Sequence, residues 1–226
     1  MGVVHKDLSF SYFDTNRTQF ILDGVMFKLM PEEITIPAMV DGFPVCAIYQ
    51  QLFYFSDKAR IKKIYIPDSV RWIGGQAFKD CKNLESVVFY KTTAPAAILE
   101  IGNEAFAGCE KLWQFVCPVH AAIGDYAFEN CRQLQHLEAT FVSVGKYGFH
   151  YCKNISSITF GRNAIWEDNS FVDCKRVQHI YFLGSLARHM LKYPTKLRFL
   201  QNKEIVVHSD FNCMDLAYEG VSIIVR

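Results

Sequence analysis

Ile73-Gly74-Gly75-Gln76-Ala77-Phe78-Lys79-Asp80-Cys81-Lys82-Asn83-Leu84 is the stretch whose reading decides the fold. Its spacing returns as Ile101-Gly102-x-x-Ala105-Phe106-x-x-Cys109-x-x-Leu112 and as Ile123-Gly124-x-x-Ala127-Phe128-x-x-Cys131-x-x-Leu134. Weaker copies run Val144-Gly145-x-x-Gly148-Phe149-x-x-Cys152-x-x-Ile155 and Trp166-Glu167-x-x-Ser170-Phe171-x-x-Cys174-x-x-Val177. A degenerate earlier copy opens at Ile48, with Phe53 in the phenylalanine place and Ser56 where cysteine is expected. A unit this short cannot bury its own apolar face. The copies must therefore stack into a solenoid around one shared core.

Each unit reads as two extended segments joined by turns. After the cysteine, Leu84-x-x-Val87-x-Phe89 places apolar residues inward at period two, the pattern of a short parallel strand. Its counterparts are Ile61-x-x-Ile64-x-Ile66, Leu112-x-x-Phe115-x-Cys117, Leu134-x-x-Leu137-x-Ala139, Ile155-x-x-Ile158-x-Phe160 and Val177-x-x-Ile180-x-Phe182, with Ile34-Thr35-Ile36-Pro37 supplying one strand before them. The second segment leads into the phrase itself, as a short strand or a tight helical turn. Its glycine is expected where the chain turns sharply. Little α-helix is expected anywhere in the array.

The ends depart from the motif, as the exposed ends of a stack must. Residues 1–33 alternate as Leu8-x-Phe10-x-Tyr12 and Phe20-x-Leu22 around Asp14-Thr15-Asn16, and read as a capping hairpin. Residues 34–183 form the repeat array. Residues 184–226 read as a second cap, with a helix-compatible run at 187–191 and closing strands at 205–207 and 221–225.

Half the 226 residues are hydrophobic, so a sizeable core is available without metals or disulfides. A net charge of +1 gives no electrostatic case for nucleic acid, and no apolar run approaches the roughly 20 residues that span a bilayer. The first residues show no signal-peptide pattern. Five of the eight cysteines share one repeat position and are expected to form a column. In-register parallel side chains point the same way and pair poorly. Buried thiols donating to backbone are the favoured reading, and oxidised pairs the lesser one.

No phosphate loop, dinucleotide fingerprint, H-E-x-x-H, G-x-S-x-G or C-x-x-C occurs. No catalytic residue, metal ligand or cofactor is expected. His136 and His179 share a repeat column, but Ser157 lies between them, about 10 Å for two strand spacings, too far for an easy shared metal. An enzyme would have to draw on the one polar concentration outside the array: His189, His208, Asp210, Cys213 and Asp215.

The phrase from Ile66-Pro67-Asp68-Ser69-Val70 through Leu84 resembles the consensus of the BspA-like leucine-rich repeat family, and Ile36-Pro37-x-x-Val40-Asp41-Gly42-Phe43-Pro44-Val45 resembles its usual first unit. The resemblance spans about residues 34–183. It implies a mainly β, right-handed superhelix with a parallel sheet on its concave side. It also implies no catalytic residues, and a surface or secreted location in many members, some of them adhesins. The absence of a leader pattern points the other way, toward the cytoplasm, so location stays open.

Recognition is expected on the outward strand positions of the concave sheet. One column reads Lys63, Ser86, Gln114, His136, Ser157, His179; the next reads Tyr65, Val88, Val116, Glu138, Thr159, Tyr181; Trp113 stands beside them. Lys63, Tyr65, Trp113, Gln114, His136, Glu138, His179 and Tyr181 are the candidate contacts for a protein or glycan partner, with tyrosine and tryptophan as anchors. The same residue types also suit any exposed strand. The expected function is a non-catalytic binding module, adhesin-like or an intracellular scaffold.

Overall fold

The computed structural model describes residues 3–53, 58–93, 97–183, 204–207 and 222–225. Ser56, the run at 187–191 and the group His189, His208, Asp210, Cys213 and Asp215 lie outside the described residues. In chain order the strands are β1 (Val3–His5), β2 (Leu8–Tyr12), β3 (Phe20–Val25), β4 (Glu33–Thr35), β5 (Met39–Val40), β6 (Phe43–Ile48), β7 (Lys63–Pro67), β8 (Trp72–Ile73), β9 (Ser86–Tyr90), β10 (Ile98–Ile101), β11 (Gln114–Ile123), β12 (His136–Val144), β13 (Ser157–Trp166), β14 (His179–Phe182), β15 (Glu204–Val207) and β16 (Ser222–Val225). One turn of 3-10 helix, Lys58–Arg60, is the only helix among the described residues.

The chain is a β-solenoid whose coils each cross two parallel ladders. The main ladder runs β4, β7, β9 and the first halves of β11 and β12, then the first half of β13, β14, β15 and β16. The second ladder runs β3, β6, β8, β10 and the second halves of β11, β12 and β13. In those last three coils one long strand bends from the first ladder to the second, with its register shifts near the bend. At the start, β1, β2 and β3 pair antiparallel and extend the second ladder. A tight connection joins β5 to β6 through Asp41 and Gly42, at φ of 48° and 80°, the left-handed pair that a two-residue hairpin needs.

The phenylalanines form one stacked file. Ring centroids are 5.1 Å apart from Phe53 to Phe78, 5.0 Å to Phe106, 5.1 Å to Phe128, 5.1 Å to Phe149 and 5.5 Å to Phe171. A second set from the main ladder meets them edge-on: Phe115 lies 5.1 Å from Phe128 at 79°, and Phe160 lies 5.9 Å from Phe171 at 87°. Offset stacks and edge contacts of this kind add about 0.5–1.5 kcal/mol each beyond the area they bury. The cysteines run beside them. Each thiol donates to the phenylalanine carbonyl one coil earlier: Cys109 to Phe78 at 3.1 Å, Cys131 to Phe106 at 3.2 Å, Cys152 to Phe128 at 3.0 Å and Cys174 to Phe149 at 3.0 Å. All described cysteines are free and buried, so the paired alternative does not hold for them.

The motif glycine has a different reason from the one expected. Among the described glycines, only Gly42 and Gly108 take positive φ. A Cβ on Gly74 would sit 2.4 Å from the Gln50 nitrogen, and one on Gly124 would sit 2.8 Å from the Asn103 nitrogen. Glycine is there because neighbouring coils touch backbone to backbone. The left-handed turns fall instead two residues later, at Gln76, Glu104, Tyr126, Tyr147 and Asn169, and again just before each cysteine, at Asp80, Gly108, Asn130, Tyr151 and Asp173. These turns also hydrogen-bond between coils, as Phe78 N to Ala105 O at 2.8 Å and Phe106 N to Ala127 O at 2.7 Å. Bonds between coils thus alternate with local turn bonds such as Cys81 N to Phe78 O at 3.1 Å.

Two further features concern the main ladder. β12 does not pair with β13 in the repeat register: Thr140 faces Thr159 and Phe141 faces Phe160. Leu137 and Ala139 are only half-buried, while Phe141 is fully buried against Phe149, 5.3 Å away. The slip is two residues: Thr140 stands six after Leu134, whereas Thr159 stands four after Ile155. Leu112 to Ile123 and Ile155 to Trp166 are eleven steps, whereas Leu134 to Val144 is ten. A two-residue slip in a period-two strand keeps its faces, so Phe141, on the same face as Leu137 and Ala139, takes the inward place opposite Phe160. At the far end, β15 and β16 continue the main ladder in parallel, with Ile180 facing Ile205 and Ile205 facing Ile223.

Candidate binding surface

On the main ladder the inward residues Ile64, Val87, Phe115, Ile158 and Ile180 are buried, which fixes their neighbours outward. The structure aligns Lys63, Ser86, Gln114 and His136 in one row and Tyr65, Val88, Val116 and Glu138 in the next. Beyond the dislocation a second block aligns Ser157 with His179 and Thr159 with Tyr181. His136 and His179 therefore do not share a column. The eight candidates fall into two groups, Lys63, Tyr65, Trp113, Gln114, His136 and Glu138 on one side of the slip and His179 and Tyr181 on the other.

Most charges on this face are already paired. Lys63 Nζ lies 3.2 Å from Glu33 Oε1, and this contact pushes the Lys63 ammonium above its ordinary pKa. His136 Nε2 lies 3.0 Å from Glu138 Oε1 and His179 Nδ1 lies 2.5 Å from Glu204 Oε2. Glu33 and Glu204 were not anticipated as members of the surface. Both stand in the row register of Lys63 and His179, and Glu204 becomes visible only once β15 is placed beside β14. The Ser86 hydroxyl donates to Gln114 Oε1 at 2.9 Å and is buried beneath it. Trp113 is the most open aromatic of the set, 45% exposed, with its ring 6.3 Å from that of His136. Tyr65 and Tyr181 are half-buried.

Such a surface offers aromatic faces, amide and imidazole hydrogen-bonding groups and locally neutralised charge on a stiff sheet. It offers no nucleophile beside a base. The buried thiols are poor nucleophiles, since burial pushes Cys81 up to about 12 and Cys117 up to about 11. Among the described residues no cluster of histidine, cysteine and carboxylate groups is placed to hold a metal ion. Nor is any described helix long and apolar enough to cross a membrane.

Residues 46–177 match the model of the BspA type leucine-rich repeat region in six copies. The chain belongs to the BspA-type leucine-rich repeat family. Solved structures agree on the fold of this repeat protein. A leucine rich cell surface protein from Faecalibacterium prausnitzii superposes with a TM-score of 0.59 at 17% identity, over 100% of this chain and 72% of that one. A Treponema pallidum (T. pallidum) leucine rich repeat protein gives 0.53 at 21% identity over 78% and 91%, and one from Bacteroides ovatus gives 0.52 at 19% over 99% and 67%. No curated protein matches the sequence. The family places this chain among repeat modules that generally bind rather than catalyse.

Proposed function

We propose that this BspA-type repeat protein is a non-catalytic module that binds a protein partner through the main ladder. The observation that carries the reading is the row order itself. Tyr65, Trp113, Gln114, His136 and Glu138 are held outward in register by a buried inner face, so the surface pays little ordering entropy on docking. Tyr65 and Trp113 are the anchors, Tyr181 the anchor of the second block, and the paired charges set orientation more than strength. An extended sheet with dispersed anchors suits a folded protein surface better than a small ligand.

The test is direct. A partner captured with the full chain is measured against Tyr65→Ala, Trp113→Ala and Tyr181→Ala. At least one of the three is expected to weaken binding by about tenfold or more. Unchanged affinity in all three removes the main ladder from the interaction.

An adhesin-like role at a cell surface is the location we favour, supported by the F. prausnitzii neighbour described as a cell surface protein. The free thiols do not argue against it. They are buried and hydrogen-bonded to backbone, which shields them in an oxidising compartment as well as a reducing one. Surface labelling of intact cells separates this reading from an intracellular scaffold.

A further inference from the structure

The second ladder also has an outward face, and there the repeat pattern alone does not explain what stands on it. Ala47, Trp72, Glu100, Ala122 and Ser143 are consecutive in register across β6, β8, β10, β11 and β12. Trp72 is the one aromatic in a row otherwise small or charged. The β2–β3 connection brings Phe13 over it, with ring centroids 6.4 Å apart and planes at 36°. Arg71 places its guanidinium 5.2 Å from the Phe13 centroid and donates from Nη2 to Gln19 Oε1 at 2.5 Å, so its head group is held in place. With Ile98 and Glu100 these residues line an open cavity of about 420 Å³, inside the range of roughly 300–1,000 Å³ usual for ligand sites. Phe13 and Ile98 keep 37% and 45% of their surface exposed. Arg71 and Glu100 both face the cavity and form no ion pair with each other.

We infer that this cavity binds a pyranose unit of an oligosaccharide, whose apolar C–H face lies against the Phe13–Trp72 wall while its hydroxyls are shared between Arg71 and Glu100. The chemistry of the lining selects this class. A guanidinium only donates and a carboxylate only accepts, so together they match neighbouring hydroxyls, each of which does both. A phosphate or carboxylate ligand would meet Glu100, and a cationic one would meet Arg71. A purely apolar group would bury both charges without recompense. Phe13 and Trp72, which both line the cavity, together supply its aromatic wall. Beyond Glu100 the row continues through Ala122 and Ser143, side chains short enough to leave a path for the next sugar. The site is separate from the main ladder and stands or falls independently of the protein-binding reading.

The test uses the full chain with maltotetraose, cellotetraose, chitotetraose and mannotetraose as probes, up to about 10 mM, read by tryptophan fluorescence and saturation-transfer NMR. At least one tetrasaccharide is expected to bind. Trp72→Ala should then weaken it by about tenfold or more, Glu100→Gln by about threefold to tenfold, and Trp72→Phe, which keeps a ring, much less. Trp113→Ala, on the other face, should leave binding unchanged, and a thermal melt of each variant confirms that it folds. No response to any of the four probes overturns the inference, as does binding that survives Trp72→Ala and Glu100→Gln or is lost in Trp113→Ala. It is also overturned if sedimentation shows the wild type self-associating through this face, with Trp72→Ala restoring the monomer.

Discussion

The central coils and the last full coil solve the same packing problem differently. From Gly74 to Gly145 a glycine lets each coil rest on the backbone of the one before, and the stacked phenylalanines stay 5.0–5.1 Å apart. In the coil that opens at Trp166 the glycine is replaced by Glu167 and the small residue by Ser170. The ring step there widens to 5.5 Å. Glu167 keeps the same backbone bond, from its nitrogen to Val144 O at 2.9 Å, as Gly145 makes to Ile123 O at 2.8 Å. Ser170, buried among apolar neighbours, satisfies its hydroxyl by donating to backbone carbonyls such as Gly145 O at 2.9 Å. Hydrogen-bond order is conserved while contact distance is not. The motif glycine therefore sets spacing, not turn geometry.

That contrast is most sharply probed in the phenylalanine file. Phe128→Ala leaves a cavity between two rings stacked at 5.1 Å and should cost about 3–5 kcal/mol by chemical denaturation. Phe171→Ala, where the stack is looser and the residue is 6% exposed, should cost clearly less. Equal losses would mean that the wider spacing has no energetic meaning.

The thiol file gives a pH test. Burial raises Cys81 to about 12 from an ordinary 9.0 and pushes Cys109 and Cys131 well above it. A raised thiol holds its proton in the fold while the unfolded chain releases it. The stabilisation is therefore complete below pH 9 and is lost as pH climbs from 9 toward 12, by about 1.4 kcal/mol per unit for each such thiol. Denaturation midpoints should be flat from pH 7 to 8.5 and fall steeply by pH 10. Cys131→Ala should flatten that fall.

A smaller effect is expected at the glycine column. Gly124→Ala drives a methyl to 2.8 Å from the Asn103 nitrogen and should cost about 1–3 kcal/mol as the coils are wedged apart. Glu167→Gly, in the coil that already carries a side chain there, should change stability by no more than about 1 kcal/mol. The smallest effect belongs to the outer surface. Trp113→Ala should leave stability within about 0.5 kcal/mol, so that any loss of binding is read as recognition alone.

The fold was legible to an unusual depth because the spacing from Ile73 to Leu84 recurs with its residue types. Phe78, Phe106, Phe128 and Phe149 stand in one file, and the degenerate Phe53 joins it as its place in the pattern implied. The face bearing Lys63, Tyr65, Gln114, His136 and Glu138 was legible for the same reason, since period-two burial dictates which residues point out. The slip between β12 and β13 was not legible: the step from Leu134 to Val144 is one residue short of its neighbours, whereas the ladder slips by two. The pairing of His179 with Glu204 and the meeting of Phe13, Trp72 and Glu100 had no sequence signal at all.

By itself, the sequence determined the coil, its inward file of rings and thiols, and the outward choice of most strand residues, because these follow from burial repeated at fixed local spacing. Only the tertiary structure decided how one coil sits on the next: why the glycines are needed, where the register slips, and which side chains from distant stretches share a cavity. Those depend on distances between backbones that no single repeat contains.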